Sequence, residues 1–207
     1  MGYGSLYHEH VTKGYAERGQ SASALTGTVA AAADGTIWTF RYPETTPMPG
    51  ASRKSGKRLL IQRIELQYTT VTAFGTPVTA GRALRLVRGA PTSGTASNPS
   101  GGAAVTAVRK RSDLSDETLG VGRIATTGVL TTTGITFETS PLRRVVLVGY
   151  GTAGATYSKV WRFDGTASDP VYLLPGQLIA IATDAAFDAT GTFQLGVDVD
   201  AVEIVGV

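Results

Sequence analysis

Apolar and polar residues alternate through much of this chain. In Ile37-Trp38-Thr39-Phe40-Arg41-Tyr42, the residues Trp38, Phe40 and Tyr42 share one face of an extended segment. That period of two is the mark of a half-buried strand. Residues 57–74 form the longest run without glycine or proline, and there Ile64, Leu66 and Tyr68 alternate with Arg63, Glu65 and Gln67. The run closes on Thr69-Thr70-Val71-Thr72. β-Branched residues lose rotamer freedom in a helix and fit a pleated sheet, so the run predicts one long strand. Further strands are predicted over 82–88, 104–109, 121–127, 135–138, 143–150, 157–163, 171–173, 178–183 and 192–205. In the last, Phe193, Leu195, Val197 and Val199 face in, and Gln194, Gly196, Asp198 and Asp200 face out. Past Asp200 the apolar parity moves to Val202 and Ile204, which predicts a β-bulge. The predicted core is Trp38, Phe40, Ile64, Leu66, Leu84, Leu86, Val146, Val148, Trp161, Phe163, Ile179, Ile181, Phe193, Leu195 and Val197.

Residues 1–30 hold no sustained period and read as an N-terminal arm. Prolines 43, 47 and 49 exclude regular structure in the stretch that follows Tyr42. Many short strands with almost no helix predict an all-β sandwich or barrel. The expected form is a jelly-roll-like antiparallel β-sandwich over residues 31–207, with the extended arm ahead of it.

Composition narrows the chemistry. The 207 residues include 26 glycines and 9 prolines, and only 17% are charged, which suits strands joined by many turns. There is no cysteine, so disulfides, thiolate metal sites and thiol nucleophiles are excluded. The two histidines, His8 and His10, both lie in the first ten residues, away from the predicted strands. A net charge of +3 is too small to imply nucleic acid. No apolar run approaches the roughly 18 residues of a membrane span. The first ten residues lack the basic and apolar regions of a signal peptide, so the expectation is a chain made in a cytoplasm.

Four motifs carry candidate chemistry. Gly149-Tyr150-Gly151-Thr152-Ala153-Gly154 matches a dinucleotide fingerprint, but the alternation of Tyr157, Trp161 and Phe163 predicts a strand next, where the fingerprint needs a helix. It reads as a glycine-rich hairpin loop. His8-Glu9-His10 offers two imidazoles without a third ligand. Asp198 and Asp200, with Glu203 nearby, are the residue types of glycosidase acids or calcium ligands, and equally of a polar outer strand face. Asp113, Asp116 and Glu117 form an acidic loop cluster. The basic pairs Arg53-Lys54, Lys57-Arg58 and Arg143-Arg144 and the triplet Arg109-Lys110-Arg111 lack interleaved aromatics. They fit solvated loops or an acidic partner surface better than a single-strand stacking platform. No complete ligand set or nucleophile–base pair emerges, so no metal, cofactor or catalysis is expected.

From about Arg58 to the end, the chain resembles small jelly-roll virion proteins of tailed bacteriophages. The likeness rests on Ile61–Phe74, Gly81–Arg88, the joint Val108-Arg109-Lys110-Arg111-Ser112-Asp113, and Gly122–Leu130. It continues through Pro170–Ile179, Gly191-Thr192-Phe193 and Val199–Ile204; Gln177 stands where relatives tend to have an acid. The resemblance implies a non-enzymatic virion structural protein, foremost a capsid decoration (cement) protein of the phage head, and a trimer. Its partners would be the major capsid protein or other virion subunits. Tail, neck or baseplate positions and a carbohydrate- or receptor-binding jelly roll are the alternatives. Within the arm, Tyr3, Leu6, Tyr7 and Tyr15 are the candidate partner-binding residues. Tyrosine gives large contact area at small rotamer cost.

Overall fold

The structure, a computed structural model, describes residues 19–30, 35–43, 57–75, 82–92, 99–110, 118–149, 151–163, 170–188 and 190–204. Thirteen strands are described: β1 (Gly19–Leu25), β2 (Thr36–Arg41), β3 (Arg58–Thr72), β4 (Ala83–Pro91), β5 (Ala103–Thr106), β6 (Val108–Arg109) and β7 (Val121–Ile124). They continue with β8 (Ile135–Phe137), β9 (Arg143–Val146), β10 (Thr156–Arg162), β11 (Val171–Leu173), β12 (Leu178–Thr183) and β13 (Thr192–Ile204).

Two antiparallel sheets pack face to face. Sheet A runs β10-β3-β13-β1-β6, with β11 also on β3; sheet B runs β5-β7-β2-β12-β4-β8, with β9 also on β4. The antiparallel pairs are nested. β1 pairs with β13, β2 with β12, β3 with β10, and β4 with β8 and β9. First-with-last nesting split over two sheets is the double Greek key of a jelly roll. The β5–β7 excursion interrupts the turn between β4 and β8 and adds to the sheet at β2. Residues 104–109, predicted as one strand, cross between sheets at the buried Ala107: β5 belongs to sheet B and β6 to sheet A.

The core lies between the sheets. Thirteen of the fifteen predicted core residues are buried, and Trp38 stacks parallel to Phe40 with ring centroids 6.0 Å apart. The other two are corrected. Val146 and Val148 are 40% and 75% exposed, and Val145 and Leu147 point inward instead. Val145-Val146-Leu147-Val148 is apolar throughout, so alternation cannot choose its inner face. Pairing chooses it, by setting Val145 against Leu84.

The predicted arm boundary at residue 30 is corrected. β1 lies inside sheet A between β13 and β6, and Val29 is fully buried and bridged to Phe193. The sandwich therefore takes in residues 19–30. The bulge predicted past Asp200 is also relocated. The register shifts between Asp200 and Ala201, but the extra residue is Gln62 on β3. The parity of β13 does not change. Ala201 and Glu203 continue its buried face, and Val202 and Ile204 are only half-buried on the other.

Candidate functional site

Several chain ends meet at one end of the sandwich. Gly19 begins β1 beside Val202, Arg58 begins β3 beside Ile204, and Tyr42 follows β2 and exchanges backbone hydrogen bonds with Gly176 and Gln177. Lys110 donates its backbone N–H to the Gly19 carbonyl at 2.8 Å. Segments 1–18, 44–56, 111–117 and 205–207 all attach to the described body here.

Glu203 lies at the centre of this end and is fully buried. Its Oε2 accepts the Tyr42 hydroxyl at 2.7 Å and the Thr118 backbone N–H at 3.2 Å. Its Oε1 faces Lys57 Nζ at 3.3 Å. A carboxylate out of water needs such partners, because an unpaired buried charge costs several kcal/mol, roughly 3–5. Gln20, also fully buried, extends the network. It donates to the Thr118 carbonyl at 3.1 Å and accepts from the Gly120 N–H at 2.5 Å. Together these bonds fix the attachment points of 1–18, 44–56, 111–117 and 205–207.

The carboxylates grouped in the sequence are separated by the pleat. Glu203 faces the core, and Asp198 and Asp200 face out from sheet A. There Asp200 accepts from Arg63 Nε at 2.8 Å and pairs with Lys110 Nζ at 2.9 Å, and Arg63 continues to Glu65 at 2.9 Å. Burial raises the Asp200 pKa, but the bonds from Lys110 and Arg63 outweigh it and hold the carboxyl below its ordinary value. The bond to Asp200 likewise raises the Arg63 pKa against the opposing effect of burial. This ladder is a cross-strand ion-pair network on an outer face.

Lys57, Arg58, Arg109 and Lys110 are brought to the Glu203 end, while Arg143 and Arg144 lie apart on β9. Arg144 and Arg85 converge on Asp184 of sheet B. The Gly149–Gly154 segment joins β9 to β10, and its end glycines have φ of 78° and 80°, which a side chain would strain. A strand, not a helix N-terminus, follows it. Among the described residues, no three His, Asp or Glu side chains are grouped to hold a metal. Tyr3, Leu6, Tyr7, Tyr15, His8, Glu9, His10, Arg53, Lys54, Arg111, Asp113, Asp116 and Glu117 lie outside the described residues.

Sequence reasoning missed the Glu203 and Gln20 network. The one available signal was parity: extending the alternation of β13 without a break puts Glu203 inside. No protein-family model matches the chain, and no curated protein matches it.

Proposed function

We propose that the chain is a non-enzymatic structural subunit of a tailed-phage particle, a head decoration protein that docks on the capsid through the Glu203 end of its jelly roll. The observation that carries this reading is the convergence at that end. A stiff sandwich anchors its longest excursions together around one buried carboxylate. The segment that precedes Gly19 in sequence carries Tyr3, Leu6, Tyr7 and Tyr15, the candidate partner-binding residues. Lys57, Arg58, Arg109 and Lys110 gather there too, Lys57 paired with Glu203 and Lys110 with Asp200, which ties the basic segments to the same end. The nested strand order agrees with the fold implied by the resemblance to phage virion proteins. The partner is then the major capsid protein, with subunits in threefold groups.

Truncation tests the reading. Removal of residues 2–18 should leave the melting midpoint of the isolated protein within a few degrees of the full chain. Binding to particles lacking this protein should fall by orders of magnitude. Undiminished particle binding would contradict the docking assignment.

A further inference from the structure

Sheet A has an open edge along the second half of β1. β6 pairs with β1 only at Gln20 and Ser21, because the chain crosses to sheet B at Ala107. On the other side β13 pairs with all of Gly19–Leu25 in one unbroken register. Hydrogen-bonding groups alternate in direction along an antiparallel strand. Thr26 donates its N–H to the Leu195 carbonyl of β13 at 3.0 Å, and the Gly19 carbonyl accepts from Lys110 on the β6 side. Ser23 and Leu25 share the parity of Gly19, so their N–H and C=O groups point away from β13. Among the described residues, no strand pairs with them there. The opening closes where Gly27 donates to the Ala125 carbonyl, just past β7, at 3.2 Å.

This stretch carries no guard. Ala22-Ser23-Ala24-Leu25 has no charge, no proline and no bulge, the devices by which edge strands discourage addition. On β10, the opposite edge of the sheet, the exposed Lys159 supplies one.

The face beside the edge selects the partner. On β13, Asp198 stands opposite Ser23 and Asp200 opposite Ser21; on β3, Glu65 and Arg63 stand opposite those aspartates. Arg63 bonds to Asp200 and Glu65, and Lys110 bonds to Asp200. Three carboxylates therefore share two cations, and among the described residues Asp198 makes no ion pair. A space of about 440 Å³ lies over the two serines. A strand added to β1 would lie about 10 Å from β13, two strand spacings of about 5 Å. Its side chain opposite Ser23 would be on the outer face. The small serine leaves a lysine or arginine there a clear path to Asp198. Two residues along, the side chain opposite Leu25 meets an apolar partner that is 63% exposed. The residue between faces inward beside Ala24, which packs against the core, so a small side chain fits there. A second copy of β1 matches poorly. Gly19–Leu25 carries no cation, and pairing two such edges sets two acidic faces side by side.

We propose that this edge takes an extended basic segment of a partner protein by strand addition, with Lys or Arg opposite Ser23 bonded to Asp198 and an apolar residue two positions away against Leu25. The site uses none of the Glu203 network and does not depend on the particle reading.

The probe is a set of short peptides, identical except for Lys, Arg, Gln or Glu at one position, each followed there by alanine and valine. They are titrated into the isotope-labelled full chain and followed by amide NMR. The Lys and Arg peptides are expected to bind, less tightly as salt rises, and to slow hydrogen exchange at the Ser23 and Leu25 amides. The Gln peptide should bind about tenfold more weakly, the loss of one charge-assisted hydrogen bond, and the Glu peptide not at all. Asp198→Asn should cost the Lys peptide the same factor. Ser23→Pro removes an outward N–H, leaves the bonds to β13 in place and should abolish binding. Leu25→Lys, at an exposed position, should keep the wild-type melting midpoint and abolish binding by repelling the cation. The proposal is overturned if no peptide binds, if the Gln and Glu peptides bind as well as the Lys peptide, or if the Ser23 and Leu25 amides exchange equally fast with and without peptide. Self-association of the chain that Leu25→Lys abolishes, with no peptide bound, would also overturn it.

Discussion

Tyr42 donates its hydroxyl to Glu203 at 2.7 Å, joining the end of β2 in sheet B to the end of β13 in sheet A. Both residues are fully buried. The bond sits where the chain repeatedly enters and leaves the sandwich. Glu203→Ala removes the acceptor of the Tyr42 hydroxyl and the Thr118 N–H, and should cost roughly 3 kcal/mol in urea unfolding. Glu203→Gln keeps an acceptor and should cost about 1 kcal/mol. Equal costs for the two variants would show that shape, not charge and acceptance, holds this end together.

The residues just past β9 give a second test. Leu147 is 3% exposed and Val148 is 75% exposed. Leu147→Ala should cost about 2–5 kcal/mol, and Val148→Ala should stay within about 0.5 kcal/mol. The reverse order in chemical denaturation would restore the parity that the sequence alone favours.

These two sites show what the sequence made legible. Strands with a large apolar residue at every second position, such as Phe193-Gln194-Leu195-Gly196-Val197, were readable in place and in face. β1 was not. In Gly19-Gln20-Ser21-Ala22-Ser23-Ala24-Leu25 the inward residues are Gln20 and Ala22, and small or polar inner residues leave no pattern. Glu203 was missed for a related reason. Unbroken parity puts it inside, but a charge at the end of a strand reads as solvated, and the partners that satisfy it there, Tyr42, Lys57 and Thr118, are distant in sequence.

Edge strand β10 supplies a third prediction. Lys159 stands opposite Leu66, on the parity of the inward-facing Tyr157 and Trp161, yet it is exposed. A charge on the inner parity of an edge strand discourages pairing with another sheet. Lys159→Val should give concentration-dependent association by analytical ultracentrifugation that the wild type lacks at the same concentration. An unchanged sedimentation profile would mean the edge is guarded by something other than this charge.

Acid stability tests the outer ladder. The Asp200 carboxyl lies below its ordinary value of 3.8, because Lys110 and Arg63 prevail over burial. A carboxylate with a lowered folded pKa stabilises fully above its unfolded value. That stability is lost as pH falls through the folded value. The melting midpoint of the wild type should therefore drop below about pH 4, and Asp200→Asn should flatten that drop while lowering the midpoint near neutrality. Parallel curves for the two proteins would remove Asp200 from the acid response.

The proposal that the Glu203 end docks on a phage head is tested most directly by cryo-electron microscopy of phage particles assembled in the presence of this chain. The account predicts jelly-roll density on the outer capsid surface, in threefold groups, with the Glu203 end against the shell and the Gly149–Gly154 segment, bonded to Thr70 and Phe74 at the opposite end of β3, pointing away. Density on the tail, or a subunit seated by its Gly149–Gly154 end, would contradict it.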